Sequence, residues 1–175
     1  MQFHRQFLNQ ELKNNPRGES KMVNFETAKS IGILFDATDP ARRDRVLKYV
    51  EELKKKNKSV KSLGYFDSKL ENTNFVFKYF NAKNIDWAYR PTGEEVNFFI
   101  QQPFDLLINL EPETKTYTEY ITALSKANLR VGPYTENTYC YDLMIDTGEK
   151  DLNHFIQEIE RLLRKTNNSH EAAEI

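Results

Sequence analysis

The chain has 175 residues, the length of one domain, with 39% hydrophobic and 13% aromatic side chains. That is too apolar for a disordered segment, and enough to bury a core without disulfides or a structural metal. The 25 basic and 26 acidic side chains leave a net charge of -1, and Cys140 is the single cysteine. Bulk charge therefore argues for neither a polyanion nor an anionic membrane, and a disulfide framework or thiolate cluster is excluded.

Residues 2–13 carry Phe3, Phe7, Leu8 and Leu12 at helical spacing, followed by a breaker cluster over 14–20 that contains Pro16 and Gly18. Residues 1–24 read as a helical arm and linker, expected to pack on its own domain, with a docking arm as the alternative. The polar N-terminus predicts no secretory leader. The longest apolar run, 31–35, falls far short of the roughly 18 residues of a membrane span. A cytoplasmic protein is the expectation.

The run 29–36 reads as a strand buried on both faces. Asp39-Pro40 then supplies an N-cap and a first-turn proline. Val46, Leu47, Val50 and Leu53 share one face of the helix that follows, and Lys54, Lys55 and Lys56 suit its C-terminal end. A second strand is expected over 60–66. Residues 74–80 read as a strand or an aromatic connection, and 85–89 as a short strand. Thr92 and Glu95 have capping-box spacing before a helix face of Val96, Phe99 and Ile100, which ends near Pro103. Strand 104–110 precedes a helix marked by Tyr117, Tyr120, Ile121 and Leu124, with Asn128 as its stop. Strands are expected at 129–132 and 139–146. Leu152, Phe155, Ile156, Ile159, Leu162 and Leu163 form the strongest amphipathic stripe. The domain proper spans 25–165, and 166–175 read as a frayed tail.

Alternating strands and helices predict an α/β fold: a three-layer Rossmann-like or flavodoxin-like sandwich on a mostly parallel sheet. The last strand could run antiparallel, because a loop and no helix leads into it. The strings at 28–36, 104–110 and 143–146 resemble a family of small uncharacterised α/β proteins of Bacteroidota bacteria, a domain of unknown function. The resemblance covers residues 25–165 and could extend to the leading helix. It implies a bacterial cytosolic protein and transfers no functional residue.

The usual chemical motifs are missing. The six glycines, at 18, 32, 64, 93, 132 and 148, build no phosphate loop, dinucleotide fingerprint or nucleophile elbow. His4, His154 and His170 are too dispersed for a zinc site. Cys140 reads as a buried, inert thiol within the 139–146 strand. No catalytic residue, metal ligand or cofactor is named by any motif.

Three groups remain as candidates. In a parallel sheet, ligands sit beyond the carboxyl ends of the strands. Asp36, Asp39, Asp67, Asn109 and Glu111 all fall at such ends, and an acidic crevice there could hold Mg²⁺ or a phosphorylated metabolite. The competing reading is that Asp39 caps a helix and the others are loop residues. Arg90 and Thr92 precede a helix N-terminus and could assist a phosphate, with an ordinary cap as the alternative. Aromatic residues from Tyr65 to Tyr89, interleaved with Lys69, Lys78, Lys83 and Arg90, suit sheet packing or a protein interface better than base stacking. The expectation is a non-catalytic module for a protein partner or self-association. A small enzyme or ligand-binding protein using the acidic crevice is second, and an RNA-associated protein third. Nucleic acid and membrane partners are not expected.

Overall fold

A computed structural model of the chain describes residues 2–16, 18–69, 74–146, 148 and 151–165. The expected 166–175 tail lies outside these. Eleven main elements follow in order: α1 (Gln2–Asn14), β1 (Ser30–Asp36), α2 (Pro40–Lys55), β2 (Ser59–Phe66), β3 (Lys78–Asn81), α3 (Glu94–Gln101), β4 (Leu106–Asn109), α4 (Thr116–Leu124), β5 (Leu129–Pro133), β6 (Leu143–Ile145) and α5 (Leu152–Lys165). The six strands form one sheet in the order β3-β2-β1-β4-β5-β6, and every neighbouring pair is parallel. This is the strand order of dinucleotide-binding Rossmann sheets; a flavodoxin-like sheet is ordered 2-1-3-4-5. β6 is parallel, not antiparallel: residues 134–142 carry the chain from the carboxyl end of β5 back to the level of Arg130 without a helix, and Val131 pairs with Leu143.

The alternation of side chains along the strands divides the core in two. Ile31, Ile33, Phe35, Leu106, Ile108, Leu129 and Val131 pack with Val46, Tyr49, Val50 and Leu53 of α2 and with α5. Of the α5 stripe, Leu152, Phe155, Ile156, Ile159 and Leu163 are buried, while Leu162 is partly covered. Leu34, Leu63, Tyr65, Phe80 and Leu107 pack on the other face with Val96, Phe99 and Ile100 of α3 and Ile121 of α4. The N-terminal arm docks on the outside of that layer. Leu8 of α1 is buried in a cluster with Tyr120, Ala123, Cys140 and Tyr141.

Local chemistry explains where elements start and stop. The Asp39 carboxylate accepts the Arg42 N–H at 2.7 Å, and Pro40 opens α2. Residues 85–89 are a turn rather than a strand. Asp86 Oδ1 accepts the N–H groups of Ala88 and Arg90 at 2.9 Å each, and only an isolated bridge joins Ile85 to Pro91. The capping box at Thr92 does not form: Gly93 occupies the cap at φ 114°, and the Thr92 hydroxyl donates to the Asn84 carbonyl at 3.0 Å. α4 ends at Leu124 rather than at Asn128, whose N–H donates to the Phe104 carbonyl at 2.8 Å. The expected 139–146 strand shortens to Leu143–Ile145. Upstream of it, the Cys140 N–H donates to the Asn137 carbonyl at 3.0 Å and holds a loop.

Candidate functional site

β1 and β4 are neighbours, with Leu34 opposite Asn109, although the chain visits β2 and β3 between them. Loops leave these two carboxyl ends toward opposite layers, opening the crevice where such sheets take ligands. Asp36 ends β1 opposite Tyr65 of β2. Glu111 follows β4 and is 1% exposed. Its Oε1 accepts the Asp36 N–H at 2.5 Å, and its Oε2 lies 3.6 Å from the Arg42 guanidinium.

The Asp36 carboxylate is held on both oxygens. Oδ1 accepts the Thr38 N–H at 2.8 Å, and Oδ2 accepts the Tyr117 hydroxyl at 3.4 Å. The Thr38 hydroxyl accepts the Asp67 N–H at 2.9 Å, and Asp67 accepts the Tyr65 hydroxyl at 3.1 Å. The Tyr65 and Tyr117 rings lie 4.1 Å apart between centroids. Asp36, Asp67 and Glu111 therefore share one crevice, joined through Thr38, Tyr65 and Tyr117. Asn109 is fully buried and donates to the Tyr141 hydroxyl at 2.7 Å. Asp39 is used by the α2 cap.

Burial dominates the electrostatics here. It pushes the Glu111 carboxyl up to about 7 despite the opposing Asp36 N–H and Arg42 charge. Burial and the neighbouring Asp67 push the Tyr65 hydroxyl up to about 12. Tyr117 is displaced upward further, by burial and then by Asp36 and Glu111. A raised carboxyl beside phenols suits proton exchange or a neutral or cationic ligand. It does not suit a free phosphate: Asp39 fills the α2 N-terminus, and Asp36, Asp67 and Glu111 add negative charge around it. Among the described residues no three His, Cys, Asp or Glu side chains gather as a metal-binding group.

Arg90 and Thr92 lie elsewhere, in the turn packed on α1. Arg90 pairs with Asp86 at 2.8 Å and covers the Phe7 ring at 4.6 Å. Cys140 is buried, and burial, followed by Glu119, raises its thiol well above the usual range. No described helix is long and apolar enough to cross a membrane.

A wide groove, of about 840 Å³, lies away from the crevice at the β2–β3 side of the sheet. β3 begins opposite Leu63, so among the described residues the Ser59–Ser62 half of β2 has no strand on its outer side. Residues 74–77, which lead into β3, pass instead onto the α2 layer. The Phe77 ring lies over Gly64, where a Cβ would meet it at 2.7 Å, and 5.2 Å from the Phe35 ring. Phe75 lies 5.1 Å below the Arg43 guanidinium. The result is a slot in the middle layer. Val50 and Phe77 wall it on the α2 side, Phe98 and Phe99 on the α3 side, and among the described residues Lys54, Lys61, Lys78 and Lys83 also line it, against Glu95 as the one acidic side chain. Sequence reasoning singled out the aromatic segment but not the slot. The relative lengths of β2 and β3 create it, and no local pattern marked where β3 starts.

No curated protein and no solved structure matches the chain. The model of a family described as "Family of unknown function (DUF6913)" matches residues 1–166, which takes in the N-terminal arm with the sheet. The chain belongs to that family.

Proposed function

We propose that this is a cytosolic protein of Bacteroidota bacteria that works without catalysis, docking a protein partner at the groove beside β2 and β3. The observation that carries this reading is the contrast in satisfaction. The carboxylates of the crevice already hold hydrogen bonds from their own chain, whereas the groove presents aromatic rings and lysines to solvent along a bare strand edge. Phe98 is 53% exposed and Val76 90% exposed at that groove. Apolar surface of this kind, rimmed by polar side chains, suits an interface better than isolated exposed residues do. The test is affinity purification from the native cell with the wild type and with Lys61→Glu/Lys83→Glu. A partner recovered by the wild type and lost by an equally stable variant supports the reading, and an unchanged set of partners overturns it.

A second reading has its own observation. Glu111, raised to about 7, sits with Asp36 and Asp67 at the position where Rossmann sheets bind ligands, and perturbed carboxyls concentrate at functional sites. In that reading Asp36, with Asp67 or Glu111 as a second acid, holds a small cationic or hydroxylated ligand, or Mg²⁺ that keeps several of its waters, with Asn109 and Asp39 supporting the walls. Arg90 and Thr92 would then belong to a separate, weaker anion site. Thermal shift with Mg²⁺ tests it: a saturable stabilisation that disappears in Asp36→Asn favours the crevice over the groove.

A further inference from the structure

The backbone at the slot has a defined polarity. The Ser59 N–H donates to the Lys29 carbonyl at 2.7 Å, and the Tyr65 carbonyl accepts from Ala37 at 2.7 Å. Residues 59, 61, 63 and 65 therefore turn their backbone groups toward β1, and 60, 62, 64 and 66 turn theirs the other way. Gly64 and Phe66 meet β3. Among the described residues no strand lies against the outward N–H and C=O of Val60 or the outward N–H of Ser62. A row of such groups is a template for another strand.

The slot lies in line with β3, between two helical layers. Four residues of β2 run along it, about 13 Å at the usual strand rise. The two walls differ. On the α2 side Val50 and Phe77 are apolar, and the one charged lining residue from α2, Lys54, is paired with Glu51 at 2.8 Å. On the α3 side Lys61 lies with its ammonium 4.7 Å from the Phe98 centroid and donates to the neutral Gln102 amide at 2.5 Å. Lys78 stands opposite Leu63 on the same face, already paired with Glu95 at 2.6 Å. Lys83 adds a further positive charge to the lining.

We infer that the slot accepts an extended segment of a partner protein as an added strand beside β2, with apolar side chains toward α2 alternating with acidic side chains toward α3. The inference rests on the docking reading and specifies its mode and chemistry. Backbone hydrogen bonds to Val60 and Ser62 supply the register, and the unlike walls supply the alternation. Lysine beside a bare edge is also a common guard against unwanted pairing, and the charge on the incoming segment is what separates a guard from a receptor.

The test uses the full chain, labelled for NMR, and a capped octapeptide of alternating glutamate and valine. Three comparisons accompany it: the same peptide N-methylated at alternate backbone nitrogens, a lysine–valine counterpart, and the chain carrying Lys61→Glu. Expected are saturable shifts at residues 60–63, 78 and 98 and at least tenfold slower amide exchange at Val60 and Ser62. Binding should fall at least tenfold in each of the three comparisons. Equal affinity for the N-methylated peptide would overturn strand addition while leaving the docking groove standing. Saturable shifts at Asp36 and Glu111 instead would overturn both. Self-association seen by sedimentation and mapped to the same amides, or a uridine dodecamer displacing the peptide, would overturn the chosen occupant. No binding by any peptide overturns the inference; the docking reading then survives only if partner capture remains sensitive to Lys61→Glu/Lys83→Glu.

Discussion

The two ends of β2 are unlike. At the carboxyl end, Tyr65 stands beside Asp36 in a crevice where Asp36, Asp67 and Glu111 each accept a hydrogen bond from the chain. At the amino end, Val60 and Ser62 face a slot that no described strand fills. The acidic end draws attention in the sequence, yet its polarity is largely absorbed in holding β1, β4 and the α2 cap together. The plainer end leaves hydrogen-bonding capacity unused. A dense set of titratable groups and an open binding surface are different things, and here they lie at opposite ends of one strand.

Substitutions that separate stability from docking sharpen this contrast. Phe35 is fully buried on β1 and touches Phe77 beside the slot, so Phe35→Ala should cost about 3–5 kcal/mol in denaturant unfolding. Glu111 comes next. Its folded value near 7 lies above its ordinary value of 4.5, so the folded chain holds the proton more tightly than the unfolded one. Its contribution is fully present below about pH 4.5 and is lost as pH rises through 7. The shift corresponds to about 3 kcal/mol. Between pH 4 and pH 8 the stability of Glu111→Gln should therefore gain on the wild type by up to that amount, read from paired urea titrations. A constant gap would show that Glu111 titrates alike in the folded and unfolded chain and that the crevice is wetter than its burial implies.

Smaller effects follow. Asp39→Ala removes the α2 cap and should cost about 1 kcal/mol. Lys61→Glu and Phe98→Ala touch exposed side chains and should stay within about 0.5 kcal/mol. A loss above 1 kcal/mol at either would mean that the slot is a working part of the fold, not a free surface.

The layers were legible because they rest on strong local signals. The apolar runs at 29–36 and 104–110, the Asp39-Pro40 start and the 152–163 stripe each allow one element type. Chain order with intervening helices then implied parallel neighbours. The errors came where a side chain redirects the backbone. Asp86 gathers the N–H groups of Ala88 and Arg90 and turns a strand-like string into a loop. Gly93 takes the cap that the Thr92 spacing suggested. In the crevice, Asp36 and Glu111 were legible from their places at strand ends. Arg42 and the Tyr65–Tyr117 stack were not, because they arrive from α2, β2 and α4 through tertiary packing. The slot was least legible of all. It depends on residues 74–77 leaving the sheet plane to put Phe77 over Gly64, and aromatic strand formers read locally as strand.

Amide hydrogen exchange along β2 tests the open edge most directly. If the slot is empty in the free chain, Lys61 and Leu63 are protected by β1, and Gly64 and Phe66 by β3. Val60 and Ser62 should then exchange much faster than their neighbours, giving a strict odd–even alternation that ends at Gly64. Protection of Val60 and Ser62 equal to that of Gly64 would contradict it: the edge would already be paired, and no strand could be added there.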